Sequence, residues 1–362
     1  MKISGYKLRK IEAPIGRIIG DSQVDPISEF EMVVLELMTD TGEVGVGFNR
    51  VNLTGEGKIS IETLESECQP QMEQLLGSSP FAVRNQMVRP RGGNLDSGRF
   101  EGALDVALWD LCGKHLGLSI AELMGADTDR VPAYASGISF PNDDETTREI
   151  YQQFAEHGFT SAKVKVGYQT VEEDIDRLKL VQDILGEDGT LMIDANEAFS
   201  PKEALRRLEQ YERAGFDVYW FEDPVLRHDV EGARRVAQGA SSTHVNVGEY
   251  VGIEHTRRLL ESGAADIVNL RGLSSGRSTA ELAYSYGRPL AVGNTPGDVG
   301  VHLGAALPEV TYVEWSAPGW AKLFDNPVHF ADNYAHVPDG PGHGLTLDES
   351  AMKQYGSLVM EN

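Results

Sequence analysis

Three acidic residues of this chain each close a short apolar segment: Asp194, Glu222 and Glu249, which stand 28 and 27 residues apart. One strand with the helix that follows it takes about that many residues, so the three carboxylates are expected at the ends of adjacent parallel strands. Carboxylates gathered there repel one another unless a cation holds them. Ligands that are all oxygen favour a hard ion, Mg²⁺ first and Mn²⁺ second. The alternative is that one or two of the three form salt bridges with a neighbouring strand end.

Two lysines precede this series in a further apolar segment. Lys163 and Lys165 are two positions apart, so on a strand their side chains lie on the same face. If that face is the interior of a barrel, each ammonium group should lower the pKa of the other, and a lysine so tuned can act as a general base near neutral pH. The alternative is a pair that faces solvent while Ala162, Val164 and Val166 face inward.

The segments that carry these residues belong to a repeat of short apolar strands and polar-faced helices. Successive strand starts are 20 to 30 residues apart, which accommodates one strand and one helix. Apolar strands that alternate with helices predict an α/β fold with a parallel sheet buried on both faces. Seven or eight such units in succession predict a (β/α)-barrel of TIM type, whose active site lies at the carboxyl ends of the strands. The strand starts are placed near Val131, Ser161, Leu191, Val218, Val245, Ala265, Pro289 and Val310.

The N-terminal quarter has a different organisation. The apolar segments Glu31–Asp40 and Glu43–Phe48 flank the turn signal Asp40-Thr-Gly42 and predict a β-hairpin. Apolar residues recur at helical spacing over Ile59–Leu76 and Glu101–His115. This part is therefore predicted to be an α+β unit with strands first and helices after.

The composition is that of an acidic globular protein. Its 56 Asp and Glu against 32 Lys and Arg give a net charge of −24, which argues against binding to nucleic acid or to an anionic membrane surface. Cys68 and Cys112 are the only cysteines and form no CxxC motif, so a reducing cytoplasm is the expected location. No apolar segment of signal-peptide length begins the chain, and no run approaches the roughly 20 apolar residues of a membrane span.

The motifs described so far, together with two more, resemble those of the enolase superfamily, of the mandelate racemase and muconate lactonizing enzyme kind. They occur in the order typical of these proteins, and the resemblance runs over nearly the whole chain. It rests on Lys163-Val-Lys165, Ile193–Asn196, Trp220–Pro224, Gly248-Glu249, Ala265–Val268, Val106–Leu111 and Pro341–Asp348.

The resemblance implies a modified (β/α)₇β barrel covered by an α+β capping domain that the N-terminus and the C-terminal tail build together. The capping domain is then expected at residues 1–125, the barrel at 126–322 and the returning segment at 323–362. The same resemblance implies Mg²⁺ on the three carboxylates, with Mn²⁺ as the alternative, a small-molecule carboxylate substrate and a homo-oligomer.

Two positions depart from the patterns of these families. Families with a His–Asp dyad carry Asp after the sixth strand and His after the seventh, and cycloisomerases and dipeptide epimerases carry Lys after the sixth. This chain has Arg271 and Asn294 at those places. Because arginine stays protonated, Arg271 is suited to hold a carboxylate or hydroxyl, or to polarise a leaving group. These residues therefore favour a mechanism in which Lys165 is the single base, with Lys163 beside it, over a racemase that uses two bases.

The reaction expected on this basis begins with removal of the α-proton of a carboxylate substrate and stabilisation of the enediolate. Its most favoured outcome is β-elimination of water from a hydroxy acid, such as an acid sugar or a hydroxylated imino acid. Racemisation, epimerisation or cycloisomerisation through the same intermediate is the alternative. A non-catalytic binding protein that kept the fold is the alternative of another class.

Other residues are candidates for binding the substrate. Glu314 matches the strand-eight glutamate that hydrogen-bonds the substrate carboxylate in mandelate racemase, and its alternative role is an ion pair at the barrel rim. The remaining candidates follow the third and seventh strands or fall where a capping domain covers the site: Asn196, Asn294, Asn49, Arg50 and the segment Ile15–Gly20.

One further motif is interpreted as coincidental. Gly272-Leu-Ser274-Ser-Gly276 matches the G-x-S-x-G pattern of serine hydrolases and follows a predicted strand. The pattern is short and common, and the carboxylates and lysines explain the site better.

Overall fold

An antiparallel sheet built from both ends of the chain forms the capping domain. Its N-terminal strands are β1 (Ile3–Ile19), β2 (Ile27–Thr39) and β3 (Val44–Arg50). The C-terminal segment Gly356–Glu361 pairs with β1, which gives the sheet four strands. The computed structural model describes residues 1–20, 25–51, 58–82, 100–138 and 142–362.

Helices pack on one face of this sheet. They are α1 (Ile61–Leu75) and α2 (Glu101–Leu116), and the short helix α3 (Ile120–Met124) follows α2. Ser60 caps α1 and Ser119 caps α3, each by accepting a hydrogen bond from a backbone N–H of the first turn. The predicted hairpin and the two predicted helices are confirmed.

The alternation of side chains along β3 decides which residues can reach the barrel. A Cβ at Gly47 would lie 1.9 Å from the carbonyl oxygen of Ala103, so β3 can approach α2 this closely only with glycine at that position. The side chains of Phe48 and Arg50 point the other way. Phe48 packs edge-to-face on Phe324, with 5.1 Å between ring centroids, and Arg50 reaches a cavity at the mouth of the barrel.

The barrel consists of parallel strands that close when the last of them pairs with the first. Its observed strand starts lie within two residues of the predicted ones. The strands are β4 (Arg130–Ser136), β5 (Ser161–Lys165), β6 (Thr190–Asp194), β7 (Val218–Glu222), β8 (His244–Val247), β9 (Ile267–Leu270), β10 (Leu290–Val292) and β11 (Val310–Trp315).

A helix follows each barrel strand except the last, so within the described residues the barrel has the predicted (β/α)₇β order. Ser200 caps one of these helices and Pro201 occupies its first turn, as predicted. The helices are α4 (Asp144–Glu156), α5 (Val171–Leu185), α6 (Pro201–Arg213), α7 (Val230–Gly239), α8 (Ile253–Ser262), α9 (Ser274–Ser285) and α10 (Gly300–Ala306).

Large side chains fill the middle of the barrel. Tyr134, Trp220 and Met192 form a buried cluster there, and the rings of Tyr134 and Trp220 meet edge-to-face at 5.0 Å. The ammonium group of Lys163 lies 5.4 Å from the centre of the Tyr134 ring. The polar residues at the strand ends therefore lie on a buried layer of apolar side chains.

The C-terminal segment contacts the barrel before it returns to the cap. Strands β12 (His329–Ala331) and β13 (Tyr334–His336) form a hairpin whose second strand pairs with β4. The chain then forms α11 (Glu349–Tyr355) and ends in β14, the strand at 356–361 that joins β1.

Asp110 of α2 ties this tail to the cap. One of its carboxylate oxygens accepts a hydrogen bond from the backbone N–H of His343 at 3.0 Å, and the other accepts from the backbone N–H of Val46 at 2.8 Å and from Lys114 at 2.6 Å. His302 of α10 is fully buried beside the carbonyl of His343, and burial lowers its pKa to about 4.

The long strand β1 is not among the predicted elements. Apolar and charged residues alternate over Tyr6–Arg9, which is the signal that could have found it, but Lys10, Pro14 and Gly16 interrupt the pattern. In the ranges that the structure describes, no helix combines the length and apolarity needed to cross a membrane.

Candidate active site

A small cavity lies between the mouth of the barrel and the cap. It receives side chains from the ends of β5, β6 and β11, from the loops that follow barrel strands, and from β1 and β3 of the cap. The residues that line it are Ile19, Gly20, Arg50, Ile138, Lys163, Lys165, Asp194, Asn196, Glu249, Tyr250, Asn294 and Glu314.

Lys163 is buried at the base of this cavity among three carboxylates. Its Nζ lies 3.0 Å from Glu222, 3.3 Å from Glu314 and 3.5 Å from Asp194. Burial by itself would lower the pKa of Lys163, but these carboxylates hold it well above its usual value. The expectation that a second ammonium group would lower this pKa is therefore wrong for Lys163, because the surrounding carboxylates outweigh both effects.

Lys165 points to the same cavity, so the solvent-facing alternative for the two lysines is excluded. Its Nζ donates a hydrogen bond to Asp194 Oδ2 at 2.7 Å and another to the side-chain oxygen of Asn196. Asn196 follows β6 with a φ of 43°, and its backbone N–H donates to the other Asp194 oxygen at 2.8 Å. The turn after β6 thus fixes Asp194 and one partner of Lys165 together.

The carboxylates at the strand ends respond differently to this environment. Burial would raise the pKa of Asp194, but Lys165 and Lys163 overcome it and lower the pKa to about 2. Burial raises the pKa of Glu222 well above its usual value; Lys163 opposes this shift, and the charges of Asp194 and Glu249 add to it. The carboxylates Asp194, Glu222, Glu249 and Glu314 at the strand ends thus outnumber the two lysine ammonium groups.

Two buried asparagines that the sequence analysis did not select hold Glu222. Asn246 of β8 donates to one carboxylate oxygen at 3.3 Å, and Asn269 of β9 donates to the other at 3.1 Å. A polar residue in the middle of an otherwise apolar strand is the signal that could have found both.

Asp194, Glu222 and Glu249 fit a hard divalent cation in donor type and in charge. All three are buried oxygen ligands from adjacent strand ends, and the raised pKa of Glu222 shows negative charge that a cation would compensate. In this structure the two lysines hydrogen-bond to oxygens of Glu222 and Asp194. No three His, Cys, Asp or Glu side chains of the described residues are spaced to hold a metal ion. Binding would require these carboxylates to exchange an ammonium partner for the ion.

Arg271 stands at the rim and is not among the residues that line the cavity. Its guanidinium group lies over the ring of Tyr250, 4.0 Å from the ring centre, and 4.0 Å from Glu249. Arg227 lies 5.0 Å from the same ring centre and is held by Glu197 at 2.7 Å. Two guanidinium groups therefore position Tyr250, which the sequence analysis did not select.

The cap contributes Arg50 to the cavity but not Asn49. The Asn49 side chain lies on the opposite face of β3, where a Cβ at Gly102 of α2 would come within 2.7 Å of it. The alternation of β3 therefore does not support the prediction that Asn49 contacts the substrate. Ile19 and Gly20, from the segment predicted to cover the site, do line the cavity.

Glu314 and Asn294 meet on the side of the cavity opposite β6. One oxygen of Glu314 accepts from the backbone N–H of Asn294 at 2.9 Å and from its side-chain amide at 3.3 Å. Burial would raise the pKa of Glu314, but the charges of Lys163 and Lys165 together with hydrogen bonds from Ser136 and Asn294 lower it. Glu314 thus forms the ion pair of the alternative interpretation and also faces the cavity.

The serine of the G-x-S-x-G pattern is not a nucleophile. The hydroxyl of Ser274 donates to Asp105 at 2.5 Å and accepts from the indole N–H of Trp109 at 2.9 Å. Both partners come from α2, so the serine joins the cap to the start of α9.

Comparison with known families covers most of the chain. Residues 145–351 match the model described as enolase C-terminal domain-like, and residues 22–125 match the N-terminal domain of mandelate racemase / muconate lactonizing enzyme. The first match alone spans more than half of the sequence.

Individual relatives agree with these models. The chain is 28% identical to L-talarate/galactarate dehydratase of Salmonella typhimurium, over 99% of this chain and 92% of that one. A crystal structure of that enzyme with Mg and L-lyxarohydroxamate superposes with a TM-score of 0.86 at 27% identity, over 100% and 94% of the two chains. A Mesorhizobium loti protein provisionally named as a mandelate racemase has a TM-score of 0.92 at 36% identity, over 99% and 95%.

Relatives that catalyse other reactions have a similar sequence identity to this chain. 3,6-Anhydro-alpha-L-galactonate cycloisomerase of Streptomyces coelicolor is 26% identical over 92% of this chain and 94% of that one. The matched families, the closed barrel with its cap and the buried lysine–carboxylate centre lead to one conclusion. The chain belongs to the mandelate racemase/muconate lactonizing enzyme family of the enolase superfamily and is a lyase or isomerase of that superfamily.

Proposed function

We propose that this enzyme is a Mg²⁺-dependent dehydratase of a hydroxy acid, with acid sugars as the favoured substrate class. The observation that carries the proposal is the one-sided placement of groups that can move a proton. Lys165 faces the cavity beside Asp194. Of the described residues that line the cavity, the other basic side chains are Lys163, which three carboxylates keep charged, and Arg50.

Asp194, Glu222 and Glu249 would hold the metal. When bound, Mg²⁺ supplies positive charge beside the substrate carboxylate, which stabilises the negative charge that develops when the α-proton leaves. Asp194, Glu222 and Glu314 lie within 3.5 Å of the Lys163 ammonium group, and a divalent ion would add positive charge beside this group of carboxylates.

Lys165 is the residue that takes the α-proton. Lys163 keeps its own proton and adds a fixed positive charge next to the carboxylate of the substrate. After the transfer, Lys165 carries an additional proton and can return it to the β-hydroxyl group, which leaves as water. Arg50 and Tyr250, on the side of the cap and of the loop after β8, are placed to bind the hydroxyl groups of the remaining chain.

Epimerisation or cycloisomerisation is the second candidate, because relatives include a cycloisomerase and an L-Ala-D/L-Glu epimerase of Bacillus subtilis. An epimerase that works by two bases needs a second proton carrier across the substrate from Lys165. Asn294 stands on that side, and Arg271 lies over Tyr250 outside the cavity lining. These positions favour elimination.

The test is a turnover screen of the purified enzyme with Mg²⁺. L-Talarate, galactarate and L-glucarate come first, followed by aldonic acids, hydroxyprolines and dipeptides. A dehydratase produces a 2-keto-3-deoxy acid, which a carbonyl reagent detects, whereas an epimerase changes optical rotation without forming a carbonyl. Conversion of a dipeptide with no carbonyl product would replace the proposal with the second candidate.

We further propose a homo-oligomer, on family likeness alone, and domain limits at 1–125, 126–322 and 323–362. The return of residues 356–361 to the cap sheet supports the third segment. Light scattering at micromolar concentration tests the assembly, and a monomeric mass would contradict it.

A further inference from the structure

Asn269 donates a hydrogen bond to one of the proposed metal ligands, and its amide oxygen has no hydrogen-bond partner among the described residues. Its side chain is 2% exposed. Its amide N–H donates to Glu222 Oε1 at 3.1 Å. Its amide oxygen is buried without a hydrogen-bond partner among the described residues. Because an unpaired buried acceptor is costly, a donor is expected at that oxygen.

Gly293, after the neighbouring strand β10, lies beside that oxygen and has no side chain to fill the position next to it. A Cβ there would lie 3.1 Å from Asn269 Oδ1 and 3.3 Å from Glu249 Oε1, and the next nearest atom, Asn269 Cγ, is 3.8 Å away. Two acceptor oxygens therefore face one small space that holds no side chain. A neutral group that satisfies both must carry two donor hydrogens, and water is the smallest such group.

Asn246 provides the contrast. It is equally buried and donates to the other oxygen of Glu222 at 3.3 Å, and its own amide oxygen is also without a partner among the described residues. Its side-chain amide donates to Glu222, and no hydrogen bond to Glu249 is found among the described residues. Both asparagines thus donate to Glu222, and the amide oxygen of Asn269 lies with Glu249 Oε1 around the Cβ position of Gly293.

We propose that Asn269 is a positioning residue for the metal centre: its amide N–H orients Glu222 and, through a water molecule seated beside Gly293, its amide oxygen orients Glu249. The inference rests on the metal assignment of the proposed function. Residues that orient metal ligands typically change metal affinity by about 10- to 100-fold when they are removed.

Titration calorimetry with Mg²⁺ alone, without substrate, tests this role independently of turnover. Asn269→Ala should weaken Mg²⁺ binding by about 10- to 100-fold. Gly293→Ala should weaken it as well, although the hydrogen bond from Asn269 to Glu222 remains, because the methyl group displaces the water. Asn246→Ala is the matched control and should weaken binding less than Asn269→Ala does.

The melting temperature of each variant in chelator separates folding from metal binding. If Asn269→Ala does not fold, Gly293→Ala still tests the water-mediated contact. Wild-type Mg²⁺ affinity in folded Gly293→Ala would overturn that contact, and wild-type affinity in folded Asn269→Ala would overturn the whole inference. A wild-type protein that binds no Mg²⁺ would instead contradict the metal assignment itself.

Discussion

Lys165 Nζ donates to Asp194 Oδ2 across 2.7 Å, so the proposed base and a proposed metal ligand share one hydrogen bond. A cation at Asp194 competes with the Lys165 ammonium group for the same carboxylate. When the carboxylate turns to the cation, Lys165 loses the partner that favours its charged form and gains a neighbouring positive charge, and both changes favour release of its proton. Lys163 keeps Glu314, which is not a proposed metal ligand, as a partner at 3.3 Å. The two lysines therefore have different roles although they share one strand face.

Replacing Lys163 should destabilise the metal-free protein in a way that Mg²⁺ reverses. Lys163→Met leaves buried carboxylates without their cation, which typically costs about 3–5 kcal/mol of unfolding free energy. Added Mg²⁺ should restore the melting temperature, since it supplies the missing charge. Lys10→Met is the matched control, because it breaks a buried pair with Glu31 (2.6 Å) in the cap sheet. Recovery of Lys10→Met with Mg²⁺, or none for Lys163→Met, would contradict the assignment.

Each proposed metal ligand should be necessary for metal binding. Asp194→Ala, Glu222→Ala and Glu249→Ala should abolish activity and the rise in melting temperature that Mg²⁺ gives the wild type. At 100 times the dissociation constant, that rise corresponds to about 2.7 kcal/mol of unfolding free energy. Thermal unfolding with Mg²⁺ and with chelator measures it. Full wild-type activity in excess chelator would contradict the assignment of a metal to this site.

The two neighbouring residues of β3 should differ in their effect on the substrate. Arg50→Ala should raise KM by roughly 10- to 100-fold, because a hydrogen bond to a charged group is worth about 1.5–3 kcal/mol. The Asn49 side chain lies on the α2 side of β3, so Asn49→Ala should leave KM near the wild-type value. Steady-state kinetics of the two variants decide the point, and an equal rise in KM for both would contradict the assigned faces of β3.

His302 should make the protein less stable in mild acid. Its folded pKa of about 4 lies below the ordinary value of 6.5, so the unfolded chain binds the proton more readily. The contribution to stability is complete above pH 6.5 and is lost as the pH falls toward 4, by up to about 3 kcal/mol. Urea unfolding between pH 7 and 4 measures this effect. The free energy of unfolding of His302→Gln should fall less steeply with decreasing pH than that of the wild type. The exposed His228→Gln control should keep the wild-type slope, and an unchanged slope in His302→Gln would refute the assignment.

The repeat of strand and helix, and the charged residues that end the strands, were enough to predict the barrel and the location of Lys163, Lys165 and Asp194. Strand ends in a closed parallel barrel converge regardless of the details of packing. Polar residues that are separated by one strand–helix unit can therefore be predicted to lie close together at the carboxyl end of the barrel.

The contacts of single side chains could not be predicted in the same way. Whether Asn49 or Arg50 reaches the cavity depends on the register of β3 against α2, which the close approach at Gly47 decides. The stacking of Arg271 on Tyr250 depends on the loop after β8, where Tyr250 has a φ of 61°. The pKa of Lys163 depends on how many carboxylates surround it, and a strand pattern gives no such count.

The central claim is that one residue, Lys165, moves the α-proton from one face of the substrate. General acid–base catalysis contributes roughly 10²–10⁴ to a rate, so Lys165→Ala should lose at least that much turnover while it keeps Mg²⁺ binding. Arg271→Lys should retain proton exchange, although turnover falls if Arg271 holds part of the substrate.

Proton NMR in deuterium oxide, with Mg²⁺ and the acid that the turnover screen identifies, tests this claim most directly. The account predicts that deuterium enters the α-position of the substrate, or of a slowly eliminating analogue, from one face in the wild type and not at all in Lys165→Ala. Exchange that persists in Lys165→Ala, or rapid deuterium entry with inversion in the wild type, would contradict it and indicate a second base.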